Sequence, residues 1–231
     1  MSATEVRAST SNTHEQHQSG DALTSFQLPT FAVCVGTTAA MLSALPLQIH
    51  EEQLIAYTTF VPIGTGISAI PNAGTGLVAM NSIPRYTWVG LYPGKATTRL
   101  NGKRAAHTMG STRSGLYIIA DKAIKTGVHM INEATTPYVA NVWYVKLANG
   151  YVLYFTGASV ASQEELLTCY SRSYGKRGYP VPTHCSDPRC IGAKHRLHSA
   201  MLKEWRKPLL ANAPPGLSRA FLEAAGLLPP P

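Results

Sequence analysis

A chain of 231 residues, 45% hydrophobic and 14% charged, has ordinary globular composition and enough apolar content to bury a core, so one domain with tails is expected. Four cysteines, of which only Cys185 and Cys190 lie close together, argue against a disulfide scaffold and for a reducing, intracellular compartment, nucleus or cytoplasm. The net charge of +8 favours acidic partners, and basic residues crowd from Arg172 to Lys207, where nucleic-acid contact is expected.

Residues 1–24 are rich in Ser, Thr, Gln and His and hold no apolar run, which reads as a disordered tail without a signal peptide. Residues 25–62 form an N-terminal flanking segment, with room for one helix and one strand between Phe31 and Phe60. Within it, residues 31–49 carry no charge and touch the lower length of a membrane span. Gly36, Thr37, Thr38, Ser43, Pro46 and Gln48 interrupt that run and basic flanks are lacking, so it is read as buried core or a packed helix, with no membrane partner. From Ile63 to Val89, glycines and prolines punctuate short apolar runs, the pattern of short strands and tight turns.

Residues 140–147 and 151–159 are rich in Val, Tyr, Trp and Phe and flank Asn149-Gly150. That pair is favoured in a type I′ hairpin turn, in which both residues take positive φ. Ser162 and Glu165, three apart, spell a helix capping box, which locally predicts a helix through Leu167. Pro180-Val181-Pro182 marks a boundary, and residues 180–231 make a basic, helical C-terminal extension. There Leu197, Met201 and Trp205 recur four apart in a helix over 195–207 that Pro208 ends. A second helix is predicted over 218–225, with Gly226 as its C′ residue.

Four segments carry candidate chemistry, in a fixed order. Gly74-Thr75-Gly76-Leu77 comes first; its glycines allow close backbone approach to a ligand, or simply make a turn before a strand. It is not a dinucleotide fingerprint, since the third glycine is lacking. Val89-Gly90-Leu91-Tyr92-Pro93-Gly94 follows, with Tyr92 at a strand end. Tyr117-Ile118-Ile119-Ala120-Asp121 leads to Met130-Ile131-Asn132-Glu133-Ala134, where a buried Asn132 must satisfy both its carbonyl and its amide, through a ligand or through backbone. Last comes Glu165-Leu166-Leu167-Thr168-Cys169-Tyr170.

The order of these segments resembles the SET domain, the fold of most protein-lysine methyltransferases, over residues 63–179. The resemblance implies a mainly β chain with short helices, a β-clip-like fold of small sheets, and it makes the segment after Ser162 a turn and short strand instead of a helix. It implies an S-adenosylmethionine-dependent protein-lysine N-methyltransferase acting on a lysine-containing protein, a histone or another. Gly74, Thr75, Gly76, Leu77, Asn132 and Glu133 would bind the cofactor, Tyr170 and Tyr92 would be catalytic, and Tyr92, Tyr138, Tyr174 and Tyr179 would line the substrate channel.

The chain departs from the family at three places. Glu133 stands where the family has histidine in Asn-His-Ser-Cys, with Ala140-Asn141-Val142 in place of the later Pro-Asn, and Cys169 takes the aspartate position before Tyr170. These departures motivate a second reading, a catalytically decayed module of the same fold that binds chromatin or nucleic acid. Finally, Cys185, Cys190, His195 and His198 could ligate zinc tetrahedrally where a zinc module follows many SET domains, although their spacing differs from that module's.

Overall fold

A computed structural model describes residues 38–56, 58–98, 107–110, 115–120, 127–170 and 198–229, and of 198–202 the backbone alone. The predicted tail over 1–24, the boundary at 180–182, Leu197, and the candidates Tyr174, Tyr179, Cys185, Cys190 and His195 lie outside these residues, as does the side chain of His198.

The described chain is mostly β, in small sheets with few helices. The first sheet runs in the order β1 (Leu54–Ile55), β6 (Gly94–Thr97), β8 (Tyr117–Ile119), β7 (Thr108–Met109). The second runs β10 (Val142–Lys146), β11 (Val152–Thr156), β5 (Trp88–Leu91), β2 (Thr58–Thr59). The third, which carries most of the candidate residues, runs β3 (Ile63–Ile67), β4 (Thr75–Ala79), β12 (Glu165–Thr168), β9 (Asn132–Glu133). Every pairing is antiparallel except β12 with β9. Helix α1 is short (Ala39–Ser43); no described helix is long and apolar enough to cross a membrane.

The β10–β11 hairpin forms because its β-branched and aromatic residues suit a pleated surface buried on both sides. Side chains alternate between the two faces. Trp143 and Phe155, paired in register, meet Trp205 on one face, while Tyr144 and Tyr154 stack toward Tyr92 on the other. The expected type I′ turn at Asn149-Gly150 is replaced by a three-residue loop. Leu147 N–H donates to Tyr151 O at 2.8 Å, Gly150 N–H donates to Leu147 O at 3.1 Å, and of the two turn residues only Gly150 has positive φ, at 90°. This reversal spares Asn149 the left-handed region, and the loop is anchored from outside: Ala148 N–H donates to Ala225 O and Asn149 O accepts from Ile49 N–H.

One hydrophobic cluster runs from Ile49 through the sheets to Leu227 and includes Trp205, Leu209, Phe221 and Ala225. Helix α2 (His198–Ala211) continues a turn past Pro208, correcting the expectation that this proline ends it. Proline deprives the carbonyl four residues back of its donor, and that carbonyl belongs to Glu204, an exposed residue. The continuation buries Leu209 completely and lets its carbonyl accept from Trp88 Nε1 at 2.8 Å, which offsets the loss. Helix α3 (Arg219–Ala224) has the predicted ends. Ser218 Oγ accepts from Phe221 N–H, and the Gly226 and Leu227 N–H groups return to the Glu223 and Leu222 carbonyls, a Schellman closure.

The capping-box pattern at Ser162 does not start a helix. Glu164 reaches back to Ala161 N–H at 2.7 Å, but Gln163 takes φ 66°, Ser162 Oγ turns to Met80 O, and Glu165 enters strand β12.

Desolvation pushes the phenol of buried Tyr151 from its ordinary 10 up to about 12. The folded chain therefore holds this proton more tightly than the unfolded one, so stability is intact below pH 10 and falls as pH rises toward 12, by up to about 3 kcal/mol. Tyr151→Phe is expected to flatten that part of the alkaline profile, read as the urea midpoint against pH. An unchanged slope would contradict the assignment.

Candidate functional site

Strands β4, β12 and β9 lie side by side, so the first, third and fourth candidate segments meet in one sheet. Glu165 opens β12, an otherwise apolar strand, and its half-buried carboxylate gathers donors from distant segments. Oε1 accepts from Ser68 Oγ at 2.7 Å and from Asn132 Nδ2 at 3.1 Å, and Oε2 accepts from Ala69 N–H at 2.9 Å. Asn132 Nδ2 also donates to Thr75 O at 3.3 Å. Both amide hydrogens of Asn132 are thus used within the protein, while its Oδ1 has no partner among the described residues.

The two glycines of the first segment do different things. Gly74 takes φ 75° in an exposed turn, and a β-carbon there would meet nothing within 4 Å. Gly76 is buried in β4, and a β-carbon there would run into Glu165 Oε1 and stand 3.0 Å from Asn132 Nδ2. Gly76→Ala should therefore displace the Glu165 carboxylate from its donors and cost about 2–4 kcal/mol, by the usual worth of hydrogen bonds to charged groups. Gly74→Ala should cost only about 1–2 kcal/mol for its left-handed backbone. Denaturant unfolding of both variants tests this ranking, and the reverse order would contradict it.

The next residue of β9 faces the other way, as strand alternation requires. Glu133 is 4% exposed and its Oε1 accepts the backbone N–H of Tyr170 at 2.9 Å, while the Tyr170 hydroxyl donates to Ile131 O at 2.9 Å. Tyr92 is buried, donates its hydroxyl to His107 O at 2.6 Å, and sets its ring edge-on to His129 with centroids 6.4 Å apart. Tyr92 and Tyr170 are thus both attached to the 129–131 segment. Tyr92 backs it from within the core.

Leu77 is fully buried, paired on one side with Thr65 and on the other with Leu166. Tyr138 donates to Ala69 O at 3.0 Å and packs with the small cluster of Ile70, Ala134, Ala140, Leu167 and Cys169. Cys169 is buried and forms no disulfide among the described residues, and the aspartate position of the resembled family carries no carboxylate here. Among the described residues, no three His, Cys, Asp or Glu side chains are grouped to hold a metal.

Ser68 carries no signal in the sequence, and Glu165 and Asn141 stand in segments 165–170 and 140–142 without a role that those segments reveal. Asn141 pins β12 from the side. Its Oδ1 accepts Leu167 N–H at 2.9 Å, and its Nδ2 donates to Glu165 O at 2.9 Å and Glu164 Oε1 at 2.8 Å. A pair of carboxylates, Glu164 and Glu165, ahead of Leu166 and Leu167 is the local signal.

The open face at Gly74, the exposed Thr75 and the Oδ1 of half-exposed Asn132 offer close backbone approach and an acceptor, beside the negative Glu165.

No protein-family model matches the chain, and no curated protein matches it. Solved structures similar to it include an active polycomb repressive complex 2 in the stimulated state, 18% identical over 65% of this chain and 23% of that chain, with a TM-score of 0.42. The methyltransferase domain of human PR domain-containing protein 2 is 19% identical over 61% of this chain and 88% of that one, at 0.41. The methyltransferase domain of human histone-lysine N-methyltransferase SETMAR is 14% identical over 50% and 48%, at 0.36.

Proposed function

We propose that this chain is an S-adenosylmethionine-dependent protein-lysine N-methyltransferase of the SET type. The observation that carries the reading is that the segments around Gly74-Gly76, Asn132-Glu133 and Glu165-Tyr170, which resemble that family in sequence order, are neighbours in one four-stranded sheet. Bound S-adenosylmethionine would supply a methyl group on a cationic sulfur. Gly74, Thr75 and Asn132 would hold its amino-acid end, with Gly76 and Glu165 keeping Asn132 in place. Tyr170 would orient the lysine nitrogen, and Tyr92 would stiffen the wall behind it.

A lysine amine has an ordinary pKa of about 10.4, so it must lose a proton before attack. An aromatic, poorly hydrated channel favours the neutral amine by desolvation, and a nearby cation favours it further. Alignment then contributes most of the remaining rate effect. The substrate would be a histone or another lysine-bearing protein in the nucleus or cytoplasm, with the basic C-terminal part contacting nucleic acid.

The test is labelled methyl transfer to histones, nucleosomes and a cell lysate, run beside a cofactor-binding measurement. Transfer to protein supports the reading. Glu133 and Cys169 favour a second reading, a decayed module that binds chromatin or nucleic acid. No cofactor binding, together with DNA affinity that falls steeply with salt, would replace the first reading with the second.

A further inference from the structure

The parallel ladder of β12 and β9 ends with the pair Thr168 and Glu133, beyond which Ala134 N–H donates to Thr168 O at 2.8 Å. A side chain takes over there. The Glu133 carboxylate accepts the Tyr170 amide at 2.9 Å, and two residues earlier the Ile131 carbonyl accepts the Tyr170 hydroxyl at 2.9 Å. Residues two apart in an extended segment share a face and span about 6.6 Å. Segment 131–133 therefore holds Tyr170 at both ends, by its amide and by its hydroxyl.

The burial of Glu133 makes this grip specific. A carboxylate taken out of water is costly unless its oxygens are hydrogen-bonded, and at 4% exposure Glu133 gains from keeping the Tyr170 amide in place. We propose that Glu133 is a positioning residue: it acts through Tyr170, fixing the backbone from which that ring reaches the substrate, and does so as a hydrogen-bond acceptor and not by its charge at the reacting atoms. The functional half of this inference rests on the reading of Tyr170 as the residue that orients the amine. The structural half stands without it.

The distinction between acceptor and charge sets the experiment. Glu133→Gln keeps a carbonyl acceptor and removes the charge, whereas Glu133→Ala removes both. Amide hydrogen exchange at Tyr170, ring carbon chemical shifts of Tyr170, cofactor affinity and methyl-transfer kinetics are measured on the full chain. In Glu133→Ala, exchange at the Tyr170 amide should accelerate at least about tenfold. The ring shifts should move, and kcat should fall at least about tenfold for a misplaced ring, with cofactor affinity within about threefold of wild type.

Glu133→Gln should keep exchange and kcat within about threefold of wild type, a rescue that a purely electrostatic role would not allow. Unchanged exchange in Glu133→Ala overturns the proposal. So does a Glu133→Gln protein that loses amide protection or is as slow as Glu133→Ala, and because Gln is nearly isosteric this arm holds even where the Ala variant does not fold. If wild type transfers no methyl group while exchange follows the expected pattern, the grip on Tyr170 stands and the methyltransferase reading alone falls.

Discussion

Tyr170→Phe should lower methyl transfer by at least about 100-fold while leaving cofactor affinity within about threefold, because misplacing the group that orients the nucleophile costs about two orders of magnitude. The substitution removes one atom, the hydroxyl that donates to Ile131 O. The backbone bond to Glu133 survives, since it uses the Tyr170 N–H. The network that would hold the cofactor runs through Glu165, Asn132 and Thr75 and does not include Tyr170. Rate and binding should therefore separate. Isothermal titration with the cofactor, beside single-turnover transfer, makes the comparison, and wild-type turnover in the variant would sink the role given to Tyr170.

Trp205→Ala should destabilise the fold by about 3–5 kcal/mol, the usual cost of truncating a buried tryptophan. Trp205 is 2% exposed, with its ring 5.2 Å from that of Trp143 and 5.1 Å from that of Phe155. Ring pairs of this kind add to simple area burial. Against a total stability of about 5–15 kcal/mol, the loss is large, and the thermal midpoint should drop by about 10 °C. The ring packs on the face of the second sheet opposite Tyr92 and Tyr154, so activity measured well below the midpoint should change little. A loss under about 1 kcal/mol would mean that helix α2 is dispensable to the core.

Local chemistry was legible where the residues that form a feature are near one another in the chain. The β10–β11 hairpin followed from its aromatic and β-branched runs, and helix α3 from Ser218 and Gly226, because caps and turns are closed within a few residues. Pro208 misled for the opposite reason. Its own chemistry says stop, but Leu209 is buried by a core that includes Trp88, 121 residues away in sequence, and that burial keeps the helix going. The surroundings of Leu77 are likewise set from afar, since nothing within its own segment reveals that β3 and β12 flank it.

At the site the division is sharper. By itself, the sequence determined that glycines, an asparagine and a tyrosine recur in an order like that of one family, and that Glu133 and Cys169 depart from it. Only the tertiary structure decided what each of them touches. Glu165 looked like the fourth residue of a capping box, yet its carboxylate is held by Ser68 and Ala69, 97 and 96 residues earlier, and by Asn132, 33 residues earlier. Glu133 looked like a lost histidine, and it became the acceptor for Tyr170, 37 residues on. A carboxylate taken out of water must find donors, so the sequence fixes the need, and the fold, by bringing β4, β12 and β9 together, fixes which donors meet it.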